Sequence, residues 1–363
     1  MSPHTGLVMQ LPPAPQSSFA SDNVAGAHPL VIEAITQANR GHFPAYGADP
    51  ITVRTQQAFR ELFDHDVTTH FVYGGTGANV FALATMLQPA EAIICAAQSH
   101  INVDETGSPE RVLGAKLIDI PTIDAKLRPS DLEFVRSMIG NQHAVQPAIV
   151  AITQVTELGT VYSVEEIRQL SDAAHGLGLY MYLDGARIAN ATAALGGTRE
   201  ALRSFTRDAG IDVMTFGCTK AGGVFGEAVV FFNPEFARRS LYIRKLVTQL
   251  HSKMRFISAQ YEAMLTDDLF ITLGGQANHA ARKLFDKTRT ISSLQLHSPP
   301  LANSMFPIIG LESRTVLQQW AHFYDWDVAQ DQVRWMTAWD VTDEAIDQFV
   351  AGVQAVLAAG RPV

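Results

Sequence analysis

The feature that most constrains the fold is a regular alternation of short apolar runs with amphipathic stretches, which begins near residue 21. The apolar runs include Phe71–Tyr73, Ala92–Cys95, Ala148–Thr153, Leu179–Leu183, Val213–Phe216 and Ala228–Phe232. The helical stretches between them include Val80–Leu87, Pro129–Ile139, Val164–Leu177 and Arg199–Arg207. Strands that alternate with helices in this way indicate βαβ units. The sequence therefore predicts an α/β fold with a mostly parallel sheet covered on both faces.

Changes in this pattern predict three regions. Residues 1–20 mix Pro, Ser and Gln without periodicity, which is typical of a flexible arm. Residues 21–270 carry the alternation and predict a large domain. Residues 271–363 predict a small α+β domain with a long helix, strands at Met305–Ile309 and Val333–Trp339, and a final helix, Thr342–Ala359, that Thr342 caps.

Composition excludes several classes of protein. Of 363 residues, 47% are hydrophobic and 17% are charged, which is typical of a globular protein and not of a disordered chain. The net charge of −9 argues against nucleic acid or an anionic membrane as the main partner. No apolar run approaches the roughly 18 residues of a membrane span, and no signal-peptide pattern opens the chain. Cys95 and Cys218 are too few for a disulfide framework or a zinc cluster, so we expect a cytoplasmic protein without a bound metal.

A Gly-rich segment, Val72–Asn79 (VYGGTGAN), joins a predicted strand to a predicted helix. Such a turn exposes backbone N–H groups at the positive end of a helix, where a phosphate binds, and Thr76 adds a hydroxyl donor. The spacing matches neither the GxGxxG motif nor a Walker A loop, which disfavours dinucleotides and ATP. By itself, the segment is equally compatible with an ordinary βα turn.

Two charged side chains follow later strands. Asp184 ends the run Leu179–Leu183, at the sheet edge where functional groups gather, although it could instead form a structural ion pair with Arg187. Lys220 lies in a loop of small residues, where burial lowers the pKa of an amine and favours a Schiff base; taken alone, a surface turn lysine is the simpler interpretation. Phosphate loop, acidic strand end and lysine loop, in this order, are typical of fold-type I pyridoxal-phosphate (PLP) enzymes, because the cofactor needs those groups.

Segments spread over about residues 19–340 match one family of enzymes. They are Phe19–Asn23, Ala45–Asp49, Gly75–Asn79, Ser99–His100, Asp104–Gly107, Ile152–Glu157, Asp184–Arg187, Phe216–Lys220, Ser252–Phe256 and Arg334–Thr337. Together they resemble the threonine aldolase and β-eliminating lyase group, and within it the low-specificity L-threonine and L-phenylserine aldolases. The resemblance implies a large domain like that of aspartate aminotransferase.

The resemblance also implies the roles of the matching residues in the cofactor site. Lys220 forms the Schiff base with PLP, Asp184 faces the pyridine nitrogen, and Gly75 with Thr76 binds the phosphate. His100 stacks on the ring and is the first candidate for the catalytic base, because its reference pKa lies close to neutrality.

A second set of residues is implied to bind the substrate. Ser21, Arg187 and Arg334 hold its carboxylate, a task suited to guanidinium groups because they bind carboxylates bidentately. Arg187 is expected to contact the cofactor as well. The resemblance implies a homotetramer built as a dimer of dimers, in which Lys253 or Arg255 is expected to reach the cofactor of a neighbouring subunit.

Two segments depart from the family pattern. Many threonine aldolases carry a His just after the strand at Ile152–Thr156, where this chain has Thr156, and a glycine run where this chain has Thr248–Lys253. The phenylserine-aldolase-like branch shares Gln154–Glu157 and Ser252–Phe256 more closely. Because Thr156 is smaller than His, we expect a pocket with room for an aromatic substituent, and phenylserine cleaved at least as efficiently as threonine.

The implied activity is PLP-dependent retro-aldol cleavage of L-β-hydroxy-α-amino acids (threonine, allo-threonine, phenylserine) to glycine and an aldehyde. One alternative keeps PLP but changes the bond that breaks, as in a β-eliminating lyase or an aminotransferase. The other is a non-catalytic PLP-binding relative, which the intact motifs disfavour. In each case we expect a small-molecule partner and neither nucleic acid nor a membrane.

Overall fold

The computed structural model describes residues 11–359 of the chain. They form two compact units, one of residues 26–275 and one that joins residues 11–25 to residues 276–359. Residues 1–10 of the predicted arm lie outside the described residues, whereas Phe19 and Ala20 are buried and belong to the second unit. The chain passes from one unit to the other between residues 275 and 276, and the domain boundary predicted between residues 270 and 271 stays a prediction.

A seven-stranded sheet forms the centre of the larger unit. Its strands are β1 (Thr68–Val72), β2 (Glu91–Ala96), β3 (Lys116–Ile120), β4 (Gln146–Thr153), β5 (Tyr180–Asp184), β6 (Val213–Gly217) and β7 (Glu227–Phe231). They lie in the order β1-β7-β6-β5-β4-β2-β3. Only β7 runs antiparallel to its neighbours, and the other pairings are parallel. The mostly parallel sheet predicted from the sequence is therefore confirmed.

Helices surround this sheet. They are α1 (Pro29–Ala38), α2 (Pro50–Phe63), α3 (Gly75–Met86), α4 (His100–Val103), α5 (Ser108–Leu113), α6 (Val164–Gly176), α7 (Ile188–Ala194), α8 (Arg199–Phe205), α9 (Pro234–Leu246) and α10 (Arg255–Leu265), followed by α11 (Leu269–Thr288), which contains the division between the units. Helix α3 is apolar on nearly every side and buries Phe81 and Leu83 in one cluster with Val229 and Phe231. This packing fixes the start of α3 against the sheet.

Some elements differ from those predicted. The helix expected at Pro129–Ile139 is a 3-10 helix over Pro129–Ser137. Strand β3 was not predicted, because its exposed Lys116 and Asp119 interrupt the apolar run. A strand at the edge of a sheet is not buried on both sides, so it lacks the continuous apolar signal of the central strands.

The smaller unit has its own sheet and core. Strands β8 (Ser304–Met305), β9 (Tyr324–Asp327) and β10 (Gln332–Met336) form an antiparallel sheet in the order β8-β10-β9, accompanied by α12 (Leu311–Trp320) and α13 (Asp343–Ala359). Phe349 of α13 stacks on Phe19 at a centroid distance of 4.2 Å and meets Trp335 edge-on at 4.9 Å. The Ala345 N–H donates to the Thr342 hydroxyl at 3.2 Å, which confirms the predicted N-cap.

None of the described helices combines the length and hydropathy that crossing a bilayer requires. Within residues 11–359, no three His, Cys, Asp or Glu side chains are grouped as metal ligands would be.

Candidate active site

A pocket lies at the carboxyl ends of β4, β5 and β6, within the larger unit. This edge of a parallel sheet is where ligands bind in open α/β folds. Five residues predicted from the sequence line the pocket together, namely Gly75, His100, Asp184, Arg187 and Lys220. They come from distant parts of the chain, so the fold brings them together.

The start of α3 supplies the anion-binding part of the site. The helix begins at Gly75, and its N-cap residue Gly74 provides no side-chain hydrogen bond to the first turn. A Cβ atom at either glycine would meet no other atom within 4 Å, so there is space beside the backbone N–H groups. An anion at this end is stabilised by those N–H groups and by the helix dipole. Thr76 is exposed and is not among the residues that line the pocket.

Hydrogen bonds hold both carboxylate oxygens of Asp184. The Ala186 N–H donates to Oδ1 and Asn79 Nδ2 donates to Oδ2, each at 2.9 Å. The amide of Asn79 is itself oriented by the Tyr182 hydroxyl, which donates to Asn79 Oδ1 at 2.6 Å. The turn after Asp184 is so tight that a Cβ atom at Gly185 would lie 2.1 Å from the carbonyl oxygen of Thr215. Asp184 is thereby fixed at the end of β5 as a hydrogen-bond acceptor.

His100 is held by a buried carboxylate. Its Nδ1 lies 2.8 Å from Glu105 Oε1, and the Glu105 side chain is fully buried. Asn79 Nδ2 donates to the same oxygen at 2.7 Å, so Asn79 links Glu105 to Asp184. The hydrogen bond that Nδ1 makes to Glu105 raises the pKa of His100 above its ordinary value of 6.5, against the effect of burial. The imidazole is therefore biased towards its cationic form.

Lys220 shares the pocket with a second acidic group. It lies in a one-turn 3-10 helix, Thr219–Ala221, just after β6. Glu227, at the start of β7, also lines the pocket and accepts the Cys218 N–H at 3.3 Å. Burial raises the pKa of Glu227, and the charge of Lys220 acts in the opposite direction. An amine and a carboxyl group that interact electrostatically therefore line the same pocket.

Ser21 and Arg334 belong to the smaller unit. The Ser21 hydroxyl accepts the Asn23 N–H at 3.2 Å and caps a short 3-10 helix. Arg334 Nη2 donates to the Ala20 carbonyl at 3.2 Å, and its guanidinium lies 5.2 Å from the ring centroid of Trp326. Their role in binding the substrate carboxylate stays a prediction.

Neither Lys253 nor Arg255 lines this pocket. Arg255 Nε donates to the Ala38 carbonyl at 2.9 Å, which ties α10 to the end of α1. In the segment that departs from the family pattern, Gln249 Oε1 accepts the Tyr73 N–H at 3.2 Å. A Cβ atom at Gly77 would lie 2.7 Å from the Gln249 amide, so Gln249 covers one side of the Gly-rich loop.

The sequence analysis assigned no role to several residues that line the pocket, which are Asn79, Thr153, Val155, Glu157, Thr215 and Glu227. A partial signal was present, since Thr153 and Glu157 end or follow an apolar strand, as Asp184 does. Thr156, which we expected to widen the pocket, does not line it. Its hydroxyl lies 2.7 Å from that of Thr160, whereas its neighbours Val155 and Glu157 line the pocket.

The pocket fits PLP in the chemistry of its groups. The uncapped start of α3 suits a phosphate, and Asp184 presents a fixed carboxylate to a pyridine nitrogen. Lys220 provides an amine in the same pocket. A mostly parallel sheet with these groups at its carboxyl edge defines the fold-type I class of PLP enzymes.

Comparison with known proteins identifies the family within this class of enzymes. Residues 18–309 match the family described as beta-eliminating lyase, and the chain belongs to that family. A low-specificity L-threonine aldolase from a Pseudomonas species is 37% identical, and the match covers 94% of this chain and 98% of that protein. The enzyme of the same description from Pseudomonas aeruginosa is 36% identical over the same shares. The solved structure of Leishmania major threonine aldolase has a TM-score of 0.87 at 30% identity, and the match covers 94% of this chain and 99% of that one.

Proposed function

We propose that this protein is a PLP-dependent aldolase of low specificity that cleaves L-threonine, L-allo-threonine and L-phenylserine to glycine and an aldehyde. The observation that carries the proposal is a single pocket lined by Lys220, Asp184 and the uncapped start of α3. The similarity to enzymes described as L-threonine aldolases supports the choice of reaction.

Each pocket residue has a task in this reaction. When bound, PLP accepts the electron pair of a bond broken at the substrate Cα. Asp184 holds a proton on the pyridine nitrogen, and its fixed orientation limits reorganisation during the reaction. The N-terminus of α3 binds the phosphate. Lys220 tethers the cofactor and carries protons, and Glu227 lines the same pocket with a pKa that burial raises.

Substrate binding and assembly follow from the family resemblance. Arg187 lines the pocket and binds the substrate carboxylate, a role that it shares with Ser21 and Arg334. The protein functions as a cytoplasmic homotetramer, a dimer of dimers. Light scattering on the purified protein tests this assembly, and a monomer in solution would contradict it.

The test of the function is to incubate the purified, PLP-supplemented protein with L-threonine and to measure acetaldehyde and glycine. We expect the two products in equal amounts, and a β-hydroxy amino acid when glycine and benzaldehyde are supplied instead. Ammonia with a keto acid would indicate β-elimination, and conversion of an added keto acid to an amino acid would indicate an aminotransferase. Either result without aldehyde would overturn the proposal.

A further inference from the structure

Glu157 is a pocket carboxyl group whose two oxygens have different surroundings. Its Oε1 accepts the backbone N–H of His100 at 2.7 Å and the hydroxyl of Thr153 at 2.9 Å. Thr153 ends β4 and His100 begins α4, so the carboxyl group is fixed between two elements of the fold. Such double anchoring restricts the side chain to one orientation.

The second oxygen, Oε2, is buried and accepts no hydrogen bond from any residue between 11 and 359. Buried polar atoms without a partner are rare in folded proteins, because each forfeits the hydrogen bonds that water would give. Since Glu157 lines the pocket and its Oε1 is already occupied, Oε2 is the atom left to bond with a molecule in the pocket. Glu105 Oε2 also lacks a partner, but Glu105 does not line the pocket.

The surroundings of Glu157 favour proton exchange. Burial raises its pKa above the ordinary value of 4.5, and the charge of Asp184 acts in the same direction. A carboxyl group with a raised pKa is a stronger base when ionised. The other titratable side chains that line the pocket are those of His100, Asp184, Arg187, Lys220 and Glu227.

We propose that Glu157 Oε2 is the general base that takes the proton of the substrate's β-hydroxyl group. This inference rests on the proposed aldolase function. The O–H bond breaks as its proton moves to Oε2, and its electron pair forms the C=O bond of the departing aldehyde. The Cα–Cβ electron pair stays with the amino-acid fragment, where bound PLP would take it up, and Cα then gains a proton. One proton leaves the hydroxyl group and one joins Cα, so the reaction is balanced.

His100 is the competing candidate for this step. Its Nδ1 is engaged with Glu105, which leaves Nε2 as the ring nitrogen available to a substrate. The hydrogen bond to Glu105 raises the pKa of His100 from its ordinary value of 6.5, so the fraction of cationic imidazole near neutral pH increases. The cation donates a hydrogen bond to the substrate and cannot accept its proton.

Glu157→Gln tests the assignment, because the new amide can keep its oxygen at the Oε1 position and retain both hydrogen bonds. We expect kcat for L-threonine cleavage to fall about 10²- to 10⁴-fold, as for the loss of a positioned general base. Exchange of the glycine Hα for deuterium, followed by NMR, involves no hydroxyl proton and should continue near the wild-type rate. Glu157→Asp withdraws the carboxylate by one methylene and should give an intermediate kcat with normal exchange.

Glu166→Gln is the matched control, since Glu166 forms a partly exposed ion pair with Lys126 at 3.0 Å, outside the pocket. It should cleave threonine at the wild-type rate. The Glu157 assignment is overturned if Glu157→Gln cleaves threonine normally, or if it loses glycine exchange together with cleavage, which would indicate a structural role. If the wild-type protein itself releases no aldehyde from threonine, the proposed function fails first, and the inference fails with it.

A measurement on the cofactor-free protein is independent of turnover. A carboxyl group whose pKa is raised on folding binds more protons in the native than in the unfolded state, so the wild type loses stability as pH rises from 4.5 to the folded-state pKa. The variant Glu157→Gln lacks this loss. The urea midpoint of the variant minus that of the wild type should therefore increase through that pH interval and then become constant. A difference that stays constant with pH would contradict the proposal.

Discussion

The hydrogen bonds of Asp184 make Asp184→Asn an informative substitution. Both carboxylate oxygens face donors, the Ala186 N–H on one side and Asn79 Nδ2 on the other. An asparagine has one acceptor oxygen, so its NH₂ group must oppose one of these donors. Rotation of the Asn79 amide cannot restore the lost hydrogen bond at no cost, because it would break the hydrogen bonds to Tyr182 and Glu105.

The magnitude follows from these contacts. One hydrogen bond to a charged group is lost, which is worth about 1.5–3 kcal/mol, and a buried donor is left without an acceptor. We therefore expect the cofactor-free Asp184→Asn protein to lose about 2–3 kcal/mol of unfolding free energy. The saturated holoenzyme should lose about 10²- to 10⁴-fold in kcat, because a neutral amide no longer stabilises a protonated pyridine nitrogen.

Urea unfolding of the cofactor-free protein and threonine cleavage at saturating PLP measure the two effects separately. Asp119→Asn provides the matched control, since it makes the same chemical change at an exposed position of β3 and should leave both quantities unchanged. If the unfolding curve of Asp184→Asn superimposed on that of the wild type, the loss of a buried hydrogen bond at residue 184 would be refuted. Turnover within tenfold of the wild type would show that another acid faces the pyridine nitrogen.

Three further substitutions or substrates test the remaining assignments. Lys220→Ala should abolish turnover and the visible absorption band of the attached cofactor, and a band that persists would place the attachment at another lysine. Arg334→Ala should mainly raise KM for the amino acid, because it removes a charge-assisted carboxylate contact; loss of PLP affinity with normal amino-acid binding would assign Arg334 to the cofactor instead. The value of kcat/KM for L-phenylserine should equal or exceed that for L-threonine, an expectation that now rests on the resemblance of Gln154–Glu157 to the phenylserine-aldolase-like branch, because Thr156 does not line the pocket. Burial of the ring would add on the order of 1–3 kcal/mol of binding. A tenfold preference for threonine would contradict this last expectation.

The sequence predicted the features that leave a local signal. Buried central strands are continuous apolar runs, and a glycine-rich turn or a strand-ending Asp184 can be recognised within a few residues. Strand β9 escaped prediction because its sequence, Tyr324–Asp327, is polar and partly exposed, which is also the reason that β3 was missed. The contact between His100 and Glu157 was beyond the sequence analysis for a different reason. It depends on β2 and β4 being parallel neighbours, and strand order has no signature within either strand.

The carboxyl groups of the site differ in role because the fold uses their oxygens differently. Asp184 accepts a hydrogen bond at each oxygen, so its carboxylate is fixed in one orientation. A fixed carboxylate suits a permanent partner of a cationic nitrogen. Glu105 is enclosed away from the pocket and holds His100 and Asn79 in place. Glu157 has one anchored oxygen and one that no described residue bonds, so it is fixed in position but still able to take a proton. Residue type alone does not separate these roles, since all three are acids. The separation comes from which backbone and side-chain donors the ends of β4, β5 and α3 bring to each oxygen.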